Sequence, residues 1–201
     1  MNFPLVLILL LVWAFLLVVT KRAELHAWQF LTGSFGLFIL LMLTVQPILT
    51  QPLARAVSAL VGIVGNLTKA FSAYFKYGII FITTETGALT LQVDFECSGI
   101  IEIMAYESLL LFFHVYTSVE KLMLGILGFC YIMLCNALRI IVICLCVYFF
   151  GVSAYYVAHA FVGRILFYFL SIFLYFYVFT KPQVVRMKVG NFHYEHHQKT
   201  P

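Results

Sequence analysis

The sequence predicts an all-α polytopic membrane protein of about five transmembrane helices, with an extracytoplasmic amphipathic helix and β-hairpin between the second and the third. Three observations predict it. The first is composition: of 201 residues, 64% are hydrophobic and 10% charged, whereas a soluble domain is about 45–50% apolar and about 25% charged. The second is that the apolar residues gather into runs near the ~20-residue length that crosses a bilayer. The third is that the basic residues, 12 against 8 acidic for a net charge of +4, stand mostly at the ends of those runs. There they set orientation and do not recruit a polyanion. Together these exclude a cytosolic globular enzyme, a nucleic-acid binder and a disordered chain.

Residues 3–19 form an unbroken apolar run closed by Lys21 and Arg22. It has no basic segment before it and no small-x-small cleavage site, so it reads as a retained first span and not as a signal peptide. The second span covers 30–49 and is closed by Pro47 and Pro52. The third, 98–116, is interrupted by Glu102, Glu107 and His114. The fourth, 122–150, is longer than one perpendicular crossing needs, so it is tilted or extends beyond the lipid at one end. The fifth, 163–180, stops at Lys181 and Pro182, and a polar cytoplasmic tail, 181–201, follows. The whole chain, 1–201, reads as a single integral membrane domain.

An odd number of spans separates the termini. With the N-terminus outside, Lys21, Arg22, Lys121, Lys181, Arg186, Lys188 and Lys199 share one side, which the positive-inside rule makes cytoplasmic. Residues 52–96 are then extracytoplasmic. Within them Leu53, Val57, Leu60, Val64, Leu67, Phe71 and Phe75 recur at helical spacing, as on a helix lying on the membrane surface. Beyond Gly78, a β-branched run at 81–84, a turn at 85–87 and the alternation of Leu89, Leu91, Val93 and Phe95 with polar residues form a hairpin signal.

Five cysteines are present. Cys130, Cys135, Cys144 and Cys146 lie within the fourth run, where a thiol behaves as a small hydrophobe, and no pair has the C-x-x-C spacing of a redox or zinc site. Cys97 follows a strand at the mouth of the third span, where water reaches it and a thiolate can form. It is a nucleophile candidate; an ordinary interfacial thiol, or a disulfide with Cys144 or Cys146, are the alternatives. Arg139 lies inside the fourth span with Asn136 three residues earlier on the same face. An intramembrane Arg costs about 2.5–3.5 kcal/mol on insertion scales, so it serves either a site or a structural ion pair with Glu102 or Glu107. His159 stands in the short link between spans four and five. Hydropathy and charge place Cys97, His159 and the outer half of the helix bearing Arg139 at one extracytoplasmic boundary. A thiol, an imidazole that activates it and a cation for the oxyanion are what cysteine nucleophilic catalysis requires. Glu102 and Glu107 pair with Arg139 or Arg164, or hold a polar segment of substrate. His193, His196 and His197 lie in the polar tail without a soft ligand beside them, and no metal is assigned.

These residues resemble the exosortase and archaeosortase family of membrane-embedded cysteine transpeptidases. Glu96-Cys97-Ser98-Gly99-Ile100 looks like its Cys-Ser-Gly motif, Asn136-Ala137-Leu138-Arg139-Ile140 like its Asn-x-x-Arg motif, and His159-Ala160-Phe161-Val162-Gly163 like its His-x-x-x-Gly motif, in the same order and at similar spacing. The chain is shorter than typical members and looks like the small ones of Gram-positive bacteria. Arg164 stands where many relatives carry an aromatic. The resemblance implies Cys97 as nucleophile, His159 as acid/base and Arg139 as third catalytic residue, with Asn136, Glu102 and Arg164 as substrate-binding candidates and no cofactor. It implies a multi-pass protein of the cell membrane with its site facing outward. Its substrates would be membrane-anchored proteins ending in a recognition motif, a transmembrane helix and a basic tail. The competing reading is a non-catalytic membrane scaffold or export component in which the intramembrane charges are structural pairs.

Overall fold

The computed structural model describes residues 3–84 and 87–184. The tail histidines and most of the expected cytoplasmic tail lie outside the described residues. Two apolar helices, α1 (Phe3–Arg22) and α2 (His26–Thr44), form a hairpin fastened by the Trp13 indole, which donates to the Thr32 carbonyl at 3.0 Å. The second helix stops short of the expected boundary. Val45 closes it and Pro47 sits in the first turn of α3 (Gln46–Thr68), where a proline loses no hydrogen bond. Pro47 therefore opens a helix and does not end a span, and Pro52 lies inside that helix.

Helix α3 is amphipathic, but its buried stripe departs from the expected one beyond Val57: Leu67 is exposed, and Phe71 and Phe75 lie past the end of the helix. Leu53, Ala54, Val57, Ser58, Val61 and Gly65 are buried, while Arg55, Ala59, Ile63 and Asn66 are exposed. Its length and composition would also allow a membrane crossing. A three-stranded antiparallel sheet follows, β1 (Ser72–Tyr74), β2 (Ile79–Thr84) and β3 (Gly87–Gln92), in the order β1-β2-β3. The expected hairpin is β2–β3, with Ile80 opposite Leu91 and Ile82 opposite Leu89. Strand β1 escaped the sequence reading because three residues show no alternation. Residues 85 and 86 of the expected turn lie outside the described residues. Strand β2 turns the fully buried Ile80 and Ile82 inward, and the sheet packs against α3 and α5. The buried stripe of α3 thus faces protein.

The expected third span is helical only as α4 (Ile100–Phe112), about 20 Å at 1.5 Å per residue. Its far end is held by Lys121, whose ammonium donates to the Leu111 carbonyl at 2.6 Å. Helix α5 (Ser118–Phe150) starts earlier than the hydropathy run because Thr117 and Glu120 form a capping box. Its 33 residues span about 50 Å against about 30 Å of hydrocarbon, and it meets β2 as well as α3 and α4. The chain turns at Gly151. It then continues as α6 (Tyr155–Val157), a π-helical turn (Ala158–Val162), α7 (Gly163–Tyr175) and a second π turn (Phe176–Thr180), together one long apolar stretch, Val152–Val184. Helical structure therefore begins well before residue 163, and the link expected between spans four and five is itself largely helical.

One core joins sheet and bundle: Val57 and Val61 of α3, Ile80 and Ile82 of β2, Ile100 of α4, and Ile140, Ile143 and Val147 of α5 are all at most 1% exposed. Ile82→Ala removes three methyl or methylene groups from it and is expected to cost about 2–5 kcal/mol. Thermal unfolding in detergent will show this as a lowered midpoint; an unchanged midpoint would mean that the sheet is not part of the cooperative core.

Candidate active site

The chain passes from the sheet into the bundle through one compact turn. Val93 N–H donates to the Gly78 carbonyl at 2.8 Å, ending the ladder, and Phe95–Cys97 form a 3₁₀ turn in which Cys97 N–H donates to Asp94 O at 3.0 Å. The Ser98 hydroxyl closes the turn on Phe95 O at 2.8 Å. Gly99, at φ +77°, begins α4; a Cβ there would be strained and would lie 3.3 Å from the Asn136 amide nitrogen. The Cys-Ser-Gly sequence thus has a local meaning: the serine closes the turn and the glycine lets it reverse against α5. Cys97 is 9% exposed, more buried than a residue at a water-filled mouth, because the turn packs against α3 and α4 and is fastened to α5 by Asn136.

Asn136 holds that turn. Its amide nitrogen donates to the Cys97 carbonyl at 2.5 Å, and the residue is 1% exposed. Expected as a substrate contact, Asn136 is engaged by the backbone of the nucleophile candidate. One turn further along the same face, Arg139 is 7% exposed, with its guanidinium carbon 5.9 Å from the centre of the Phe167 ring. Glu102 of α4 lies within electrostatic range of Arg139. Neither makes an ion pair within hydrogen-bonding distance among the described residues, and Arg139 Nε and Glu102 Oε2 are both buried without a hydrogen-bond partner. A buried donor and a buried acceptor left this way cost free energy that a substrate amide or water can recover.

The third motif lies on the returning helix. A Cβ on Gly163 would come within 2.8 Å of Ile143 Cδ1 and 3.3 Å of Ala158 O, so only glycine lets this helix approach α5 so closely. Gly163 against Ile143 and Phe167 against Arg139 are successive rungs of an antiparallel pair. His159, one turn before Gly163, is half-buried within the π turn. Its imidazole stacks on the Tyr155 ring with centroids 5.5 Å apart and planes at 24°. Tyr155 in turn is within electrostatic range of Cys97. Tyr155 was missed by sequence reasoning; its signal was the i, i+4 spacing to His159, which puts the two rings on one helix face.

Cys97, Asn136, Arg139, Glu102 and His159 are therefore brought into one neighbourhood by α4, α5 and the final helix. Arg164 is not: it is exposed on the final helix. All five cysteines are thiols. No group of three or more metal-ligating side chains occurs among the described residues.

Fold and site together define a polytopic helical membrane protein in which a buried Cys97 and Arg139 and a half-buried His159 share one neighbourhood. The sequence pattern of the family described as transmembrane exosortase matches residues 1–177, and the chain belongs to that family. The match takes in the N-terminal half, where no motif was readable. No curated protein and no solved structure matches the chain.

The rung at Gly163 is testable by a paired substitution. Gly163→Val is expected to destabilise the protein by about 1–3 kcal/mol through overpacking. Adding Ile143→Ala should recover part of that loss in the same unfolding assay; strict additivity of the two changes would show that the residues do not touch.

Proposed function

We propose that this protein is a membrane-embedded cysteine peptidase/transpeptidase that removes the C-terminal sorting signal of membrane-anchored proteins and transfers them to an acceptor. The observation that carries this reading is the fastening of the Cys97 turn to α5 through Asn136, one helical turn from the buried Arg139, beside the helix that presents His159. Membership of the exosortase family supports it.

In this mechanism His159 takes the proton of the Cys97 thiol, and the thiolate attacks the carbonyl carbon of the scissile peptide bond. A C–S bond forms and the carbonyl electrons move to oxygen, where the guanidinium of Arg139 faces the developing charge. Collapse of this intermediate breaks the C–N bond. His159 returns the proton to the leaving amine, which departs with the transmembrane anchor, and an acyl thioester remains on Cys97. An amine, a hydroxyl or water then attacks the thioester, His159 accepts its proton, and the C–S bond breaks. No cofactor enters these steps. Glu102 acts as the counter-charge that orients Arg139, and Asn136 as the residue that positions the nucleophile turn.

The proposed topology places the chain, 1–201, in one integral membrane domain, with α3 and the sheet on the extracytoplasmic surface. The sheet runs along α3 from Ala54, against Gly78, to Gly65, against Phe71. If α3 crossed the bilayer, the polar Thr90 and Gln92 of the edge strand β3 would stand at membrane depth, where open sheet edges do not occur. The length of α5 in excess of the hydrocarbon then forms the wall on which the sheet rests.

Cys97→Ser, Arg139→Ala and His159→Ala are each expected to abolish cleavage of a reporter carrying a sorting motif, a transmembrane helix and a basic tail, with the protein level unchanged; immunoblotting for the anchored and released forms reads this. Normal processing by the Cys97→Ser variant would refute the catalytic reading. For orientation, Thr90→Cys in a chain otherwise lacking cysteine should react with an impermeant maleimide in intact cells. Labelling that needs permeabilised cells would reverse the proposed topology.

A further inference from the structure

We infer that Tyr155 is a positioning residue of the active site, its ring fixing the plane of the His159 imidazole from which that imidazole serves Cys97. The inference rests on the catalytic reading of Cys97 and His159 and adds a residue that neither the motifs nor the family resemblance assigns.

The two rings are separated by four residues on one helix face, with centroids 5.5 Å apart and planes inclined by only 24°. This is an offset stack and not the edge-to-face arrangement of most aromatic pairs in this protein, such as Tyr74 with Phe81 at 85° or Phe113 with Phe179 at 85°. The location matters. Tyr155 lies in the short α6, and the α-helical ladder gives way to a π turn at Ala158. There the wider turn closes through Gly163 N–H to Ala158 O. A π turn displaces its side chains from α-helical directions, and such turns concentrate at functional sites. In a turn so widened, a flat neighbour is what restrains rotation of the imidazole about its Cβ–Cγ bond.

The stack also has a chemical consequence. When His159 takes the Cys97 proton it becomes a cation, and the face of an electron-rich ring stabilises a cation held against it. Tyr155 is close enough to Cys97 for their charges to interact, so the phenol flanks the same thiol–imidazole pair that it stacks upon. Its hydroxyl makes no side-chain hydrogen bond among the described residues, so the ring is the operative part. The adjacent Tyr156 is 73% exposed and points away, which supplies an internal control of identical chemistry.

The test uses the full-length protein in native membranes. It measures reporter cleavage and, with no substrate present, the rate at which iodoacetamide alkylates Cys97, read by mass spectrometry of the peptide that contains it. Tyr155→Phe and Tyr156→Leu should stay within about twofold of the wild type in both measurements, whereas Tyr155→Leu should lose about tenfold in both, within the range for a cation against an aromatic face. Tyr155→Met, which fills the space without a ring, should behave like Tyr155→Leu and replaces it if the leucine variant does not accumulate. The inference is overturned if the ringless variants match the wild type, or if Tyr155→Phe falls as far as they do. Loss of cleavage in Cys97→Ser with full activity in the ringless variants would remove Tyr155 alone, whereas cleavage by Cys97→Ser would remove the catalytic reading beneath it.

Discussion

The hydrogen bond from the Asn136 amide to the Cys97 carbonyl is the contact on which the arrangement of this protein turns. It joins the turn that leads from the β-sheet into α4 to α5, the longest helix among the described residues. Helix α5 carries Arg139 one turn from Asn136, and the final helix docks on it through Gly163 at Ile143. Three segments distant in sequence thereby acquire a common reference. If the turn came away from α5, Cys97 would keep its hydrogen bond to Asp94 and Ser98 its bonds to Phe95, but Cys97 would lose its relation to the guanidinium and the imidazole.

Buried charge in an apolar protein is costly, and here it is concentrated. Arg139 and Glu102 interact at a distance without closing into a hydrogen-bonded pair, and each keeps a buried polar atom with no protein partner. A stability-driven core would replace them with apolar side chains of similar volume, since isolated intramembrane charges are disfavoured by kilocalories. The arrangement suits a site that receives a polar group between them. The face of Phe167 beneath Arg139 compensates part of the desolvation without using up its donors.

Sequence and structure diverge where local pattern is silent about partners. The start of the apolar stripe of α3 was legible from its spacing, but a stripe does not say whether lipid or a sheet covers it; the sheet does. Hydropathy marked 98–116 as one span because the residues after Phe112 are as apolar as those before, although the helix ends there. Pro47 and Pro52 read as terminators because a proline disfavours helix interiors, yet a proline in a first turn is an initiator. His159 looked like part of a loop because the π turn that holds it has no hydrophobic period of its own. Glu102 and Asn136 were singled out from their place beside Arg139, but their partners could not be, since those contacts run between separate helices.

What the sequence by itself determined was the membrane setting, the hairpin before Cys97 and the identity of the three motifs. The first two follow from composition and period and the third from resemblance to a family pattern, and all three are legible in runs of neighbouring residues. The tertiary structure alone decided that Asn136 faces the backbone of Cys97, that Arg164 is exposed, and that Tyr155 comes within electrostatic range of Cys97. Those are relations between segments far apart along the chain, set by how closely two helices can approach, and the small residues Gly99 and Gly163 permit that approach without announcing what will come near.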